Sequence, residues 1–462
     1  MKITKSPIIP QKSTLVSIEA KHELDKEALC VFAATGFFLD TDSYWKDRKV
    51  VPPASTHKYD TAGNYLESSP WFSWHYTPRD ISFKEALTEF TTLFETIIAE
   101  QTANHKVILP LSGGLDSRTQ AVAFQHLGKK VQAYSYEFKG GYPETKIAKT
   151  LATICDFEFQ KFEIDKGYLW NVIAELANIN GCYSEFTHPR QMAVIDAFET
   201  MGTVFSLGHW GDVLFDRGAP EGLNMEQLPD YIFKAVVKKG GLVLANSLWQ
   251  QWSLEGTFEA YFRKRIQTLL DAIAIDNVSA KMRAFKSLYW APRWTSTNLS
   301  IFAEKHPITL PYYDDRMCQF ICTIPEAYLA DRKLQIAYIK ARNEQAARVT
   351  WQAHKPFNLY TFHKNQSPHN IPYRVVNKLQ REIKKTLGTP YVQRNWELQF
   401  LGKENEKELE KQLFGNALSG LVDVELTKEI YSKFKHEDAV YYSHPVSMLL
   451  TLSIWLQNNK DN

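Results

Sequence analysis

The chain has 462 residues, enough to bury a full core and more than one compact lobe requires. Hydrophobic residues make up 44% and charged residues 23%, as in an ordinary globular enzyme, and a formal charge of +2 argues against a nucleic-acid or membrane surface. No apolar run approaches the roughly 18 residues of a spanning helix, and residues 1–10 lack the apolar core of a secretion signal.

Taken in chain order, residues 1–80 read as an irregular preface containing Gly36-Phe37-Phe38-Leu39-Asp40 and the turn-like Pro52-Pro53. Cys30 falls in a helical stretch. Ser82 and Glu85 form a capping box, and Leu87, Phe90, Leu93, Phe94, Ile97 and Ile98 follow at helical spacing. Residues 106–111 read as a short buried strand. A helix over 116–127 stops at Gly128, residues 131–138 form a strand, and 143–155 form a helix with Pro143 near its start. Strands at 157–164 and 203–207 flank helices at 168–180 and 189–201. This alternation predicts an α/β fold: a doubly wound parallel sheet over residues 81–220. Beyond 220 the strand signal fades into an α-helical C-terminal lobe, 221–462. Within it, 363–412 reads as loops and one charged helix, and 376–386 as an exposed helix face.

The five cysteines (Cys30, Cys155, Cys182, Cys318, Cys322) are too scattered for a disulfide framework. Nor does a second pair join Cys318 and Cys322 in a zinc site. Buried structural thiols and a reducing, cytoplasmic setting are expected.

The chemistry concentrates in Ser112-Gly113-Gly114-Leu115-Asp116-Ser117, at the junction of a strand and a helix. Two glycines let successive backbone N–H groups turn toward one anion, and the helix N-terminus adds partial positive charge. Ser112 and Ser117 add hydroxyls. Asp116 would repel a bare phosphate, so it calls for a bridging Mg²⁺. The loop lacks the lysine and length of a Walker A loop, so transfer of a γ-phosphate is not expected.

These six residues resemble the pyrophosphate loop of the PP-loop ATP pyrophosphatase superfamily, and the Leu-Asp-Ser form resembles its asparagine synthetase branch. In the family's order, residues 36–40 with Pro52-Pro53 resemble the segment between the two synthetase domains. Residues 208–215 (Gly-His-Trp-Gly-Asp-Val-Leu-Phe) resemble Gly-Glu-Gly-x-Asp-Glu-Leu-Phe. Residues 310–314 resemble the Pro-Phe-Leu-Asp box, and His354-Lys355-Pro356-Phe357 stands where the family has Arg-x-Lys-x-Gly-Phe. A C-terminal helix around 449–455 follows. The resemblance implies an adenine nucleotide α-hydrolase-like fold binding ATP and Mg²⁺. It further implies that Asp116 and Asp212 hold the metal, and that Leu111, Tyr136 and Gly208 lie along the nucleoside. Lys355 would stabilise charge during adenylation or amide formation, and Lys333 is a second candidate cation for the triphosphate.

Three departures from the family pattern matter. Only about 35 residues precede Gly36, and residue 2 is Lys, so no glutaminase with an N-terminal cysteine is expected; ammonia or an amine comes from elsewhere, including a separate protein. His209 replaces a glutamate, and two roles stand open for it: general base toward the attacking amine, or packing and substrate contact. Trp210 and Asp216 replace glycines, which reshapes the pocket wall. Arg190, after His188-Pro189, is either a carboxylate or phosphate contact or a solvated loop residue, and Tyr312-Tyr313-Asp314-Asp315 reads either as bracing between lobes or as a site for a cationic amine. The expected reaction is adenylation of a small-molecule, peptide or sugar carboxylate by ATP, followed by amine attack to give an amide, with no nucleic-acid or membrane partner. A degenerate ATP-binding scaffold and a tRNA-modifying enzyme are the competing readings.

Overall fold

The computed structural model describes residues 1–16 and 23–459. At its centre five short strands run parallel: β6 (Val107–Pro110), β7 (Val131–Phe138), β8 (Glu158–Ile164), β9 (Val204–Ser206) and β10 (Ile308–Thr309). Their spatial order is β10-β9-β6-β7-β8. The chain builds outward from β6 to β7 and β8, then returns to place β9 and β10 on the other side. The carboxyl ends of β6 and β9 therefore flank a topological switch point, the place where open α/β sheets bind ligands.

Both faces of this sheet are covered, which explains the near-continuous apolar strands. Along β6, Val107 and Leu109 enter one core and Ile108, fully buried, enters the other. The first core is closed by α2 (Phe83–Gln101), α3 (Asp116–His126) and α4 (Thr145–Ile154). The second is closed by α1 (Lys26–Thr35), α5 (Tyr168–Asn180) and the C-terminal helix Ala439–Asn458. The Ser82–Glu85 capping box forms as expected, with the Glu85 carboxylate accepting from the Ser82 N–H at 3.0 Å. No helix among the described residues is long and apolar enough to cross a membrane.

Three stretches differ from the sequence reading. The preface is not irregular: β1 (Lys2–Lys5), β4 (Ser55–Tyr59) and β5 (Tyr65–Pro70) form an antiparallel sheet, and β2 (Thr14–Val16) pairs with β3 (Arg48–Val50). These strands are short, with β1 and β5 largely exposed and β3 and β4 half-buried, so they carry little hydrophobic periodicity. Residues 189–201 wind as a 3₁₀ turn, Arg190–Thr200, with a break at Val194 rather than as an α-helix. The 363–412 region holds three helices, of which Ile371–Thr386 has no buried residue. Its basic side chains are exposed as expected, but so are Ile371, Val375, Val376, Leu379 and Ile383.

The residue that ties the central loop to the C-terminal lobe is Arg118, on the first turn of α3 and fully buried. Its guanidinium donates to the carbonyls of Gly113 (3.1 Å), Ala346 (3.3 Å), Val349 (3.0 Å) and Thr350 (2.7 Å). Burial pulls its pKa down to about 10, so it is still charged at neutral pH. Replacing it with Met should leave these acceptors unsatisfied and cost at least about 2 kcal/mol. Urea unfolding of Arg118→Met is expected to show a lowered midpoint with an unchanged slope; an unshifted midpoint would refute the assignment.

Candidate active site

The loop after β6 is held by its own side chains. The Ser112 N–H donates to Ser117 Oγ (3.1 Å) and the Gly114 N–H to Ser112 Oγ (3.2 Å). The Gly113 N–H donates to Gln352 Oε1 (3.1 Å), and the Gln352 N–H returns to the Gly113 carbonyl (3.0 Å). The two glycine amides are thus committed internally, unlike the sequence expectation that they face an anion. A Cβ on Gly113 would stand 2.8 Å from Gln352 Cβ, so glycine is required there by close packing. What the loop leaves open is the N-terminus of α3, which no side chain caps. That terminus is the anion-attracting feature.

Asp116 opens α3 and is the most tightly engaged carboxylate of the site. Its Oδ1 accepts from Arg332 Nη2 and from Gln335 Nε2 (3.0 Å), and its carbonyl accepts from the Tyr312 hydroxyl (3.0 Å). Gln335 also accepts from Arg332 Nε at 2.6 Å, which fixes the guanidinium plane. Burial pushes the Asp116 pKa up to about 6; Arg332 opposes that rise and Asp212 adds to it. Gly208 and Gly211 press directly on this side chain. A Cβ on Gly208 would come 3.2 Å from Asp116 Cβ, and one on Gly211 would collide with the carboxylate.

Around these groups lies a cleft of about 700 Å³ at the carboxyl ends of β6, β7 and β9. Its volume falls within the roughly 300–1,000 Å³ of small-molecule sites. Leu111, Ser112, Gly114, Asp116, Ser117 and Tyr136 line one side; Gly208, His209, Trp210 and Asp212 line the other. Asp212 is exposed there, and among the described residues its side chain makes no hydrogen bond or ion pair. Residues 89–457 match the asparagine synthase family. The chain belongs to the asparagine synthase family.

No curated protein matches the chain. Among solved structures it is similar to an NMN synthetase from Francisella tularensis, at 17% identity and a TM-score of 0.23, covering 45% of this chain and 93% of that one. Membership makes this asparagine synthase-family chain an ATP-using synthetase of the PP-loop superfamily.

Within this synthase-family site, two cationic candidates lie elsewhere than expected. Lys333 is exposed and donates to the Ala327 carbonyl (3.0 Å), away from the cleft. The cation that reaches the loop is its neighbour Arg332, because Asp331 and Arg332 both adopt left-handed backbone (φ 58° and 61°) and turn the guanidinium inward. Asp216 holds that turn by accepting the Asp331 N–H at 3.0 Å. An adjacent Arg-Lys pair gives no sequence signal for which one faces in. Lys355 lines a neighbouring cavity of about 620 Å³ with Tyr142 and Arg374, which meets the cleft at Glu144. Arg190 does reach the cleft, stacked over Phe138, with Nε buried and unpartnered.

His209 opens into the cleft, and its Nδ1 is buried without a partner. Burial lowers its pKa to about 4, so the ring is neutral at physiological pH. Trp210 beside it has φ 69°, a left-handed backbone that costs a non-glycine residue about 1–2 kcal/mol.

His188 and His444 are likewise held down to about 4, chiefly by burial, around the buried carboxylate of Glu185. Although burial opposes it, His188 and the hydroxyls of Thr187 and Ser447 keep Glu185 below its usual range. In the unfolded chain these histidines titrate near 6.5. As pH falls from about 6.5 toward 4, the unfolded chain therefore binds protons that the fold refuses at His188, His209 and His444. Stability should be complete above that window and decline through it, by up to about 1.4 kcal/mol per pH unit for each histidine. Urea midpoints at pH 7.5, 6 and 5 would record the decline, and equal midpoints would contradict it.

Proposed function

We propose that this chain binds ATP with Mg²⁺, adenylates a carboxylate with release of pyrophosphate, and passes the acyl group to an amine or ammonia to form an amide. The observation that carries the reading is the pairing of Asp116 and Asp212 in one cleft with the uncapped N-terminus of α3. Two carboxylates with room for phosphates suit Mg²⁺, which keeps few protein ligands and takes the rest from substrate and water. The metal would supply charge neutralisation for the departing pyrophosphate. Arg332 neutralises Asp116 in the free protein and is placed to follow the negative charge onto the leaving group. Arg190, with its unpartnered Nε, is a second cation on the opposite wall.

His209 is the one catalytic candidate of the three (Lys355, His209, Lys333) that lines the cleft. A pKa near 4 makes it a weak base toward an ammonium. The neutral ring still lines the cleft as a contact for the amine or the acyl group. The nitrogen is supplied from outside the chain in this reading. All five cysteines are buried, and their thiols are raised by desolvation, so none resembles the activated thiolate that glutamine hydrolysis needs.

Pyrophosphate release with pooled carboxylates tests the proposal. Asp116→Asn should lower the rate on the order of 10²–10³-fold and Arg332→Met by at least about tenfold, whereas Lys333→Ala should stay within about twofold of the parent. Full activity in Asp116→Asn would overturn the assignment. The Arg332 contact with Asp116 also favours a second reading, a nucleotide-binding scaffold. ATP binding with no carboxylate-dependent pyrophosphate release would select it.

A further inference from the structure

A second cavity, of about 270 Å³, shares a wall with the cleft. The shared residue is Trp210, which lines both spaces. The helix Thr295–Lys305 divides in the same way: Thr295 faces the cleft, while Ser296 and Leu299 face the second cavity. Its roof comes from the preface of the chain, through Ile8, Trp71, Phe72 and Trp74. Two roof residues at its mouth, Ile8 and Trp71, are 50% and 43% exposed, unusual for side chains of that size.

The lining defines the ligand chemistry. Indole and phenyl rings dominate, with Leu288, Leu299 and Leu310, and the sole charged side chain is Asp315, exposed at the rim. Inside, Ser287 is 3% exposed, and its hydroxyl and that of Tyr313 are buried side by side as each other's polar neighbour. With these two hydroxyls turned to each other, the rest of the chamber is mainly apolar and suits an uncharged hydrocarbon group. The volume is below the roughly 300 Å³ at which whole-ligand sites begin. The chamber is therefore sized for part of a molecule, and the cleft beyond Trp210 is the adjoining space for the remainder.

We infer that this chamber is a substrate-selectivity subsite, holding an uncharged aryl or branched-alkyl group of a substrate whose reacting end sits beside His209 in the ATP cleft. The inference rests on the adenylation reading for the reacting end, but the chamber itself is defined by geometry alone. Trp210 is the partition: it lines both spaces, and its left-handed backbone sets where that wall stands. The aryl group arrives on the carboxylate or on the amine, and the two sources are separable.

The experiment uses two probes, 3-phenylpropionate and 2-phenylethylamine, on the full chain. Binding is followed by saturation-transfer NMR, and adenylation by carboxylate-dependent ATP–pyrophosphate exchange. Ser296→Phe fills the chamber from its floor, and Trp71→Ala opens its exposed roof with little risk to folding. Each should weaken aryl-probe binding by at least about tenfold, while Mg²⁺–ATP affinity by calorimetry stays unchanged. Binding of the carboxylate probe, with exchange, assigns the subsite to the adenylated substrate; binding of the amine probe alone assigns it to the acceptor. Failure of both probes to bind, or binding indifferent to both substitutions, overturns the subsite. Aryl binding lost in Ser296→Phe, with no exchange from any carboxylate, leaves the subsite standing and overturns the adenylation reading instead.

Discussion

The whole site hangs on one buried cation, Arg118. Among the described residues its guanidinium has no carboxylate partner and donates to backbone carbonyls, three of them from residues 346–350 and one from the loop itself. A charge kept out of water demands such a ring of acceptors, and the ring fixes where each acceptor's segment can go. The β6–α3 loop cannot shift without residues 346–350, and those residues carry Gln352 against Gly113. The mouth of the cleft is thereby made of two distant pieces of chain that move as one.

Charge around Asp116 follows a related logic. A carboxylate beside a second carboxylate in a poorly solvated place is costly, and the free protein offsets that cost with Arg332 and Gln335. Arg332 is brought there by two consecutive left-handed residues and an Asp216 hydrogen bond. The substitution of Asp216 for a glycine, which the sequence presents only as a departure, is therefore part of how the cation is aimed.

The sheet, its helices and the loop were legible because they depend on local signals: a capping box, alternating periods, and a glycine pair at a strand end. Most cleft residues followed from motif order. Lys333 did not, because which of two neighbouring cations faces inward depends on backbone turns that leave no compositional trace, and Lys355 stands in the adjoining cavity that meets the cleft at Glu144. Arg118 and Gln335 were invisible for another reason. A buried polar side chain with partners more than 200 residues away, as Arg118 has in Thr350 and Gln335 in Asp116, looks in sequence like any other polar helix residue. The preface was misread because its strands are short and carry few apolar residues, although they pair into antiparallel sheets.

That preface has a consequence for how such a protein can diverge. The chamber's roof and the nucleotide cleft come from different stretches of chain, joined at a single indole. Substitutions at Ile8, Trp71, Phe72 or Trp74 touch neither the loop nor its anchoring cation. Lineages are therefore free to exchange one acyl or amine partner for another by drift in an outer layer, while the energy-coupling machinery beneath stays under separate constraint.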